Sequence, residues 1–185
     1  GLNPYQSPLA LWLEKTQSES INGIDPEDDT HPTYWGNVLE PIVATHYSKR
    51  TGNKVRRVNA ILQHPEHPFM LANLDREVVG QPDVQILECK TTGHYGAKAW
   101  KDGVPEYVLV QVMHQLAVTG KQAADVAVLI AGQQLQIHRI QRDNALIAKL
   151  IELESRSWWH VLNNVPPPAD CSDSAALALQ ALFPT

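Results

Sequence analysis

Apolar residues recur at two spacings along this chain, and the change from one to the other divides it into helices and strands. Ser7-Pro8 before LALWLEKT predicts a helix with Ser7 as N-cap and Pro8 at its first position. Gln17 to Pro32 is polar, carries Gly23, Pro26 and the acidic run Glu27-Asp28-Asp29, and is expected to be a loop. From Tyr34 to Arg50, the residues Val38, Leu39, Ile42, Val43 and Tyr47 fall at helical spacing, ended by Thr51-Gly52. Pro41 lies inside that helix and predicts a kink that frees the carbonyl near Asn37. Lys54 to Gln63 is expected to be one strand, followed by a Pro-rich turn at His64-Pro65-Glu66-His67-Pro68. The two histidines of that turn have no third or fourth zinc-binding partner nearby in sequence. Pro105 opens a helix to about Thr119, closed by Gly120. The apolar run Ala124 to Ala131 predicts a central strand buried on both faces. A turn at Gly132-Gln133-Gln134 leads into the alternating strand LQIHRIQ. Asp143 caps an amphipathic helix to about Leu162, and Pro166-Pro167-Pro168 ends the domain. Ser172-Asp173 starts a short helix through Leu182, expected to pack on the body or on a neighbour.

Between these elements lies Leu71 to Thr92, which has the pattern of a β-hairpin turning at Gly80-Gln81-Pro82-Asp83. A turn centred between Gln81 and Pro82 pairs residues whose numbers sum to 163. Asp75 then faces Glu88, and Asn73 faces Lys90; Glu88 and Lys90 share a face because side chains alternate along a strand. Opposed carboxylates repel, since paired Cβ atoms lie only ~5 Å apart. A divalent cation between them is the natural reason for a chain to keep the arrangement. Two acids and a lysine on one face of a hairpin outline a metal-dependent phosphodiesterase site. Asp83 is five residues from Glu88, so the two point to opposite sides of a regular strand. It is assigned to the turn.

Two other patterns add candidate chemistry. Gln111, His114 and Gln115 form an uncharged polar stripe on one face of the Pro105 helix, as expected of a face turned toward a site. Glu40 sits between Leu39 and Pro41, beside the expected kink. The net charge of −5 excludes a bulk polycation, so any nucleic-acid surface must be local. Its candidate is the cluster Lys49, Arg50, Lys54, Arg56 and Arg57. Two cysteines, Cys89 and Cys171, are too few for a disulfide framework and fit a reducing cytoplasm. No secretory signal is visible, and no apolar run approaches the ~20 residues of a membrane span, so no membrane association is expected. At 185 residues, a single α/β domain is expected, with its core at about 34–163 and a C-terminal Pro-rich segment and helix at 166–183.

Taken in order, these blocks resemble the PD-(D/E)xK nuclease superfamily. Within it, they resemble the phage alkaline exonucleases of the lambda exonuclease and YqaJ-type viral recombinase family. The matching segments are GLNPYQSPLALWLEKT, YWGNVLEP, HPEHPFMLANLD, ILECKT and YVLVQVMHQLAVTG. ExK alone is weak; five blocks in order are specific. The resemblance implies a restriction-endonuclease-like core, a central mixed sheet flanked by helices, and cleavage of double-stranded DNA to leave 3′ overhangs for recombination. It implies that Glu40, Asp75, Glu88 and the Cys89 backbone carbonyl hold one or two Mg²⁺ ions, with Mn²⁺ as an alternative. Lys90 would orient the attacking water or stabilise charge on the phosphate, and Gln111 would position water or phosphate. Lys98, Trp100, Lys101, Gln115, Arg56 and Arg57 are the candidate DNA contacts. A ring trimer and a single-strand annealing partner are implied too, in a phage or prophage protein of the host cytoplasm. The upstream small-residue motif that helps hold the 5′ phosphate falls before Gly1, so 5′-to-3′ polarity is implied by the family alone. Alternatives are another endonuclease or RecB- or Cas4-like nuclease of this fold, although two cysteines fall short of the usual cluster ligands of Cas4-like enzymes. A non-catalytic DNA-binding module is the alternative of another class; the intact Glu40, Asp75, Glu88 and Lys90 argue against it.

Overall fold

The computed structural model describes residues 6–17 and 27–183. The GLNPY block, with Gly23 and Pro26, lies outside the described residues. In chain order the elements are α1 (Pro8–Thr16), α2 (Pro32–Thr51), β1 (Lys54–Arg57), β2 (Leu62–Gln63), β3 (Leu71–Ala72), β4 (Arg76–Val79), β5 (Ile86–Thr92), a 3₁₀ turn (Gly96–Trp100), α3 (Glu106–Thr119), β6 (Ala123–Ile130), β7 (Gln134–Gln141), α4 (Asn144–Leu162) and α5 (Asp173–Leu182). They group into two compact units, one drawn from Gly1–Ile24 with Ala148–Thr185 and the other from Asp25–Ile147.

In the first unit Ser7 caps α1 as expected, its Oγ accepting from the Ala10 N–H at 3.1 Å. The apolar face of α1 (Leu9, Ala10, Trp12 and Leu13) packs with Ala178 and Leu182 of α5 and with Val161. The Ser7 N–H donates to Ser174 Oγ at 3.0 Å, tying the start of α1 to α5. The closing helix thus packs on α1 within its own unit.

The second unit is a mixed five-stranded sheet in the order β1-β4-β5-β6-β7, with a separate two-stranded β2–β3 ladder. β5 and β6 are parallel and the other pairs antiparallel. Crossing from β5 to its parallel neighbour takes the chain through α3. One face of the sheet is covered by α2, where Val43, Ala44 and Tyr47 pack on Val78, Val84, Leu87 and Ala127. Val38 and Ile42, expected on this inward face, are 44% and 47% exposed. The apolar pattern of α2 is wider than the face the sheet can cover. Gly52 ends the helix at φ +77°, a left-handed conformation open to glycine without a Cβ penalty.

Two sequence expectations are corrected. Lys54 to Gln63 is not one strand: β1 and β2 belong to different sheets, separated by residues 58–61 that include the poor strand former Asn59. The first arm of the Leu71–Thr92 hairpin is likewise split, with β3 paired to β2 and only β4 paired to β5. Asn73 therefore does not face Lys90 across a ladder. The register survives where the ladder exists: Arg76 pairs with Leu87 and Glu77 with Ile86, numbers that sum to 163.

Candidate active site

β5 outruns its neighbour β4, and the candidate site forms where β4 begins. Leu87 packs under α2, so Glu88 points to the opposite face, toward α3. It is 2% exposed, and both of its oxygens are occupied. Oε1 meets Lys90 Nζ at 2.7 Å and accepts from Gln111 Nε2 at 2.8 Å; Oε2 accepts from Gln115 Nε2 at 2.7 Å. Lys90 Nζ also donates to Gln111 Oε1 at 3.0 Å, closing a ring of three side chains. The polar stripe on α3 thus faces the site, and its third member, His114, meets the Leu71 carbonyl through Nε2 at 2.9 Å.

Asp75 lies one residue before β4. Val78 donates to the Gln85 carbonyl, so in this register the next rungs in line are Arg76–Leu87 and then Leu74–Cys89. That last rung is replaced: the Cys89 N–H donates to Asp75 Oδ2 at 2.7 Å. Burial pushes the Asp75 carboxyl up to about 7, helped by Glu88 and Glu40 and opposed by the Cys89 N–H and by Lys90. The Cys89 thiol is pushed well above its ordinary value by burial, then by Asp75 and Glu88. Glu40, from α2, is ion-paired with Arg76, whose guanidinium also donates to the Asp75 carbonyl. Three carboxylates therefore act on one another at this corner of the sheet. Asp83 is exposed in the turn, as its parity required.

Among the described residues no three His, Cys, Asp or Glu side chains stand together as an ion-holding set. The reason is visible in their partners, because Arg76 draws Glu40 aside and Lys90 with two amides occupies Glu88. The donors themselves are all carboxylate or carbonyl oxygens, the set a hard divalent cation prefers. Gln115 Oε1 is buried without a hydrogen-bond partner, a polar vacancy beside Glu88. In the chemistry of its donors, the set fits such an ion.

The remaining candidates are dispersed. Trp100, expected as a DNA contact, is 3% exposed with its ring 6.1 Å from that of His138, so it packs inside. Gln115 is also 3% exposed. Lys98 and Lys101 are exposed. Arg56 and Arg57 are both exposed on edge strand β1, on opposite faces of it, and Arg56 pairs with Glu77 at 2.6 Å. His64 Nδ1 accepts from the backbone N–H of Glu66 and of His67, both at 3.1 Å, which makes it a turn residue. Sequence reasoning missed Arg76. Its signal was its position, adjacent to Asp75 and in register with Leu87 under α2.

A mixed sheet with α2 on one face and α3 on the other is a fold shared with alkaline exonucleases. LHK-Exo, an alkaline exonuclease from Laribacter hongkongensis, superposes with a TM-score of 0.66 at 21% identity, covering 86% of this chain and 89% of that one. A phage-related exonuclease from Haemophilus somnus 129PT gives 0.61 at 14% identity, with 85% and 80% covered. At these identities the likeness is one of fold. Residues 1–122 match the model of the YqaJ-like viral recombinase domain, and the chain belongs to that family. It is 42% identical over 179 residues to the protein YqaJ of Bacillus subtilis (strain 168), covering 95% of this chain and 54% of that one. The chain thus spans about half the length of the curated relative it matches. Among the described residues no helix is long and apolar enough to cross a membrane.

Proposed function

We propose that this chain is a divalent-cation-dependent exonuclease that digests duplex DNA from its ends, 5′ to 3′, leaving 3′ single strands for recombination. The observation that carries the reading is the Asp75 carboxylate held by the Cys89 N–H, next in the chain to Glu88, with Lys90 Nζ 2.7 Å from Glu88. Family membership and the exonuclease fold support it. LHK-Exo has also been solved in complex with dAMP, a nucleotide of the kind such digestion releases.

Asp75, Glu88, the Cys89 carbonyl and Glu40 would hold Mg²⁺. When bound, the cation supplies a water of lowered pKa and offsets negative charge on the scissile phosphate. The chain's own residues do the rest. Glu40 leaves Arg76 to join the other acids, and the guanidinium stays hydrogen-bonded to the Asp75 carbonyl. Lys90, released from Glu88, presents its ammonium to the phosphate oxygens. Gln111, now bridging Lys90 and Glu88, keeps the lysine on the side of the site where the phosphate enters.

The test is digestion of a linear duplex 5′-phosphorylated on one strand, with Mg²⁺ and with EDTA. Mononucleotides released from that strand alone, and only with Mg²⁺, are expected. Lys90→Ala should lower the rate by about 10²-fold or more while DNA binding persists. Internal cuts or cleavage of closed circles would move the assignment to an endonuclease, and undiminished cleavage by the Lys90 variant would defeat the mechanism.

A further inference from the structure

Asp75 stands on backbone that the main sheet does not hold. Residues 73–75 belong to no strand, so no ladder fixes how far Asp75 lies from Glu88. The Cys89 N–H holds Asp75 Oδ2 at 2.7 Å, and one further side chain ties Glu88 to the backbone just before Asp75. Gln115 Nε2 donates to Glu88 Oε2 at 2.7 Å and to the Asn73 carbonyl at 3.2 Å, joining one carboxylate directly to the backbone that carries the other. The amide is 3% exposed, with α3 backbone behind it, and its Oε1 is buried without a partner. A buried amide that leaves one of its atoms unsatisfied is costly to keep. Its orientation is set by chemistry, since turning it over would aim Oε1 at the Glu88 carboxylate. Being neutral, Gln115 orients Glu88 without competing for its charge as Lys90 does.

We infer that Gln115 is a positioning residue that sets the separation of Asp75 and Glu88, and so selects which divalent cation the pair accepts. The inference rests on reading the two acids as cation ligands. A fixed gap matters more for Mg²⁺, which demands near-ideal octahedral geometry, than for Ca²⁺, which accepts irregular oxygen shells. Gln115 acts on the pair through its bonds to Glu88 and Asn73.

The test compares the parent chain with Gln115→Met, which keeps the volume, and Gln115→Asn, whose amide is one methylene too short. Each is titrated with Mg²⁺ and separately with Ca²⁺ by calorimetry without DNA, and its unfolding midpoint is measured in EDTA. Both variants should lose about 10–100-fold in Mg²⁺ affinity, the usual effect of removing a residue that orients a ligand. Their loss for Ca²⁺ should be several-fold smaller, with unfolding midpoints near the parent's. Equal losses for the two ions, or unchanged Mg²⁺ affinity, would overturn the inference. So would failure of both variants to fold, which would make Gln115 a structural residue. A parent chain that binds neither ion defeats the proposed metal centre itself, a different result from any of these.

Discussion

Asp75 carries its carboxyl into a buried corner beside Glu88 and Glu40, and that placement has a signed consequence for stability. Its folded-state pKa of about 7 lies above the ordinary value of 3.8, so the fold holds a proton that the unfolded chain has released between those limits. Where the native state binds more protons, stability falls as pH rises. Metal-free protein should therefore lose stability from about pH 4 to 7 and keep that loss above 7. Asp75→Asn should flatten this dependence, because its Oδ1 can still accept from Cys89 while carrying no charge. Urea midpoints in EDTA at pH 5 and pH 8 measure the difference. Adding Mg²⁺ at pH 8 should recover stability in the parent and not in the variant. Glu88 and Lys90 were legible as neighbours on one face because side chains alternate along β5, and the stripe with Gln111 and Gln115 was legible from helical spacing. Arg76 was not, since a side chain's reach across layers leaves no periodic mark.

At the scale of elements, patterning located every helix to within a few residues, because caps and left-handed glycines punctuate the chain sharply. Strands were less legible. Periodicity marks a strand but does not name its neighbour, so β1 ran on into β2 and β3 into β4. β6 shows what an almost wholly apolar run conceals. Its Asp125, 2% exposed, accepts from Tyr47 Oη at 2.6 Å and from the guanidinium of Arg139, its partner across the β6–β7 ladder. The expected turn was one residue too late. Centred on Gly132, at φ +70°, it aligns Asp125 with Arg139. Burial, and then the bond to Asp125, push the Tyr47 hydroxyl up to about 12. Tyr47→Phe should cost about 1.5–3 kcal/mol, the value of a hydrogen bond to a charged group. Arg139→Met should cost about 3 kcal/mol, at the low end for a broken buried pair because water reaches the guanidinium. Urea unfolding checks both, and Mg²⁺ affinity should be unchanged, since none of these hydrogen bonds involves Glu40, Asp75 or Glu88.

For the molecule as a whole, a net charge of −5 must coexist with the polyanionic substrate proposed for it. Part of the basic cluster is already spent within the protein. Arg56 and Lys121 both pair with Glu77, whose carboxyl Arg56 holds below its ordinary range. Arg50 donates to the Leu135 carbonyl. Exposed Lys49, Lys54 and Arg57 are left as the better candidates for phosphate. If Arg57 contacts one phosphate, Arg57→Ala should reduce the salt slope of duplex binding by about 0.9. Fluorescence anisotropy in EDTA from 50 to 200 mM salt, on the order of the range where such slopes are read, measures it, and an unchanged slope would remove Arg57 from the interface. The division into two compact units was not foreseen, because α1 and α5 lie at opposite ends of the sequence and only tertiary packing joins them.

The β4–β5 register has a consequence for which length changes this chain can absorb. Residues 80–83 are exposed and lie beyond the last paired rung, so insertions there lengthen a loop and leave the two acids where they are. A single residue added between Asp75 and Glu88 within the ladder has a different effect. It keeps every side chain and every helix, yet it turns one carboxylate to the far side of the sheet. Substitutions at the site can be graded by chemistry, but insertions are graded by whether they are odd or even. Related sequences should therefore vary freely in the length of this turn and hold constant the count from each acid to the rungs beside it.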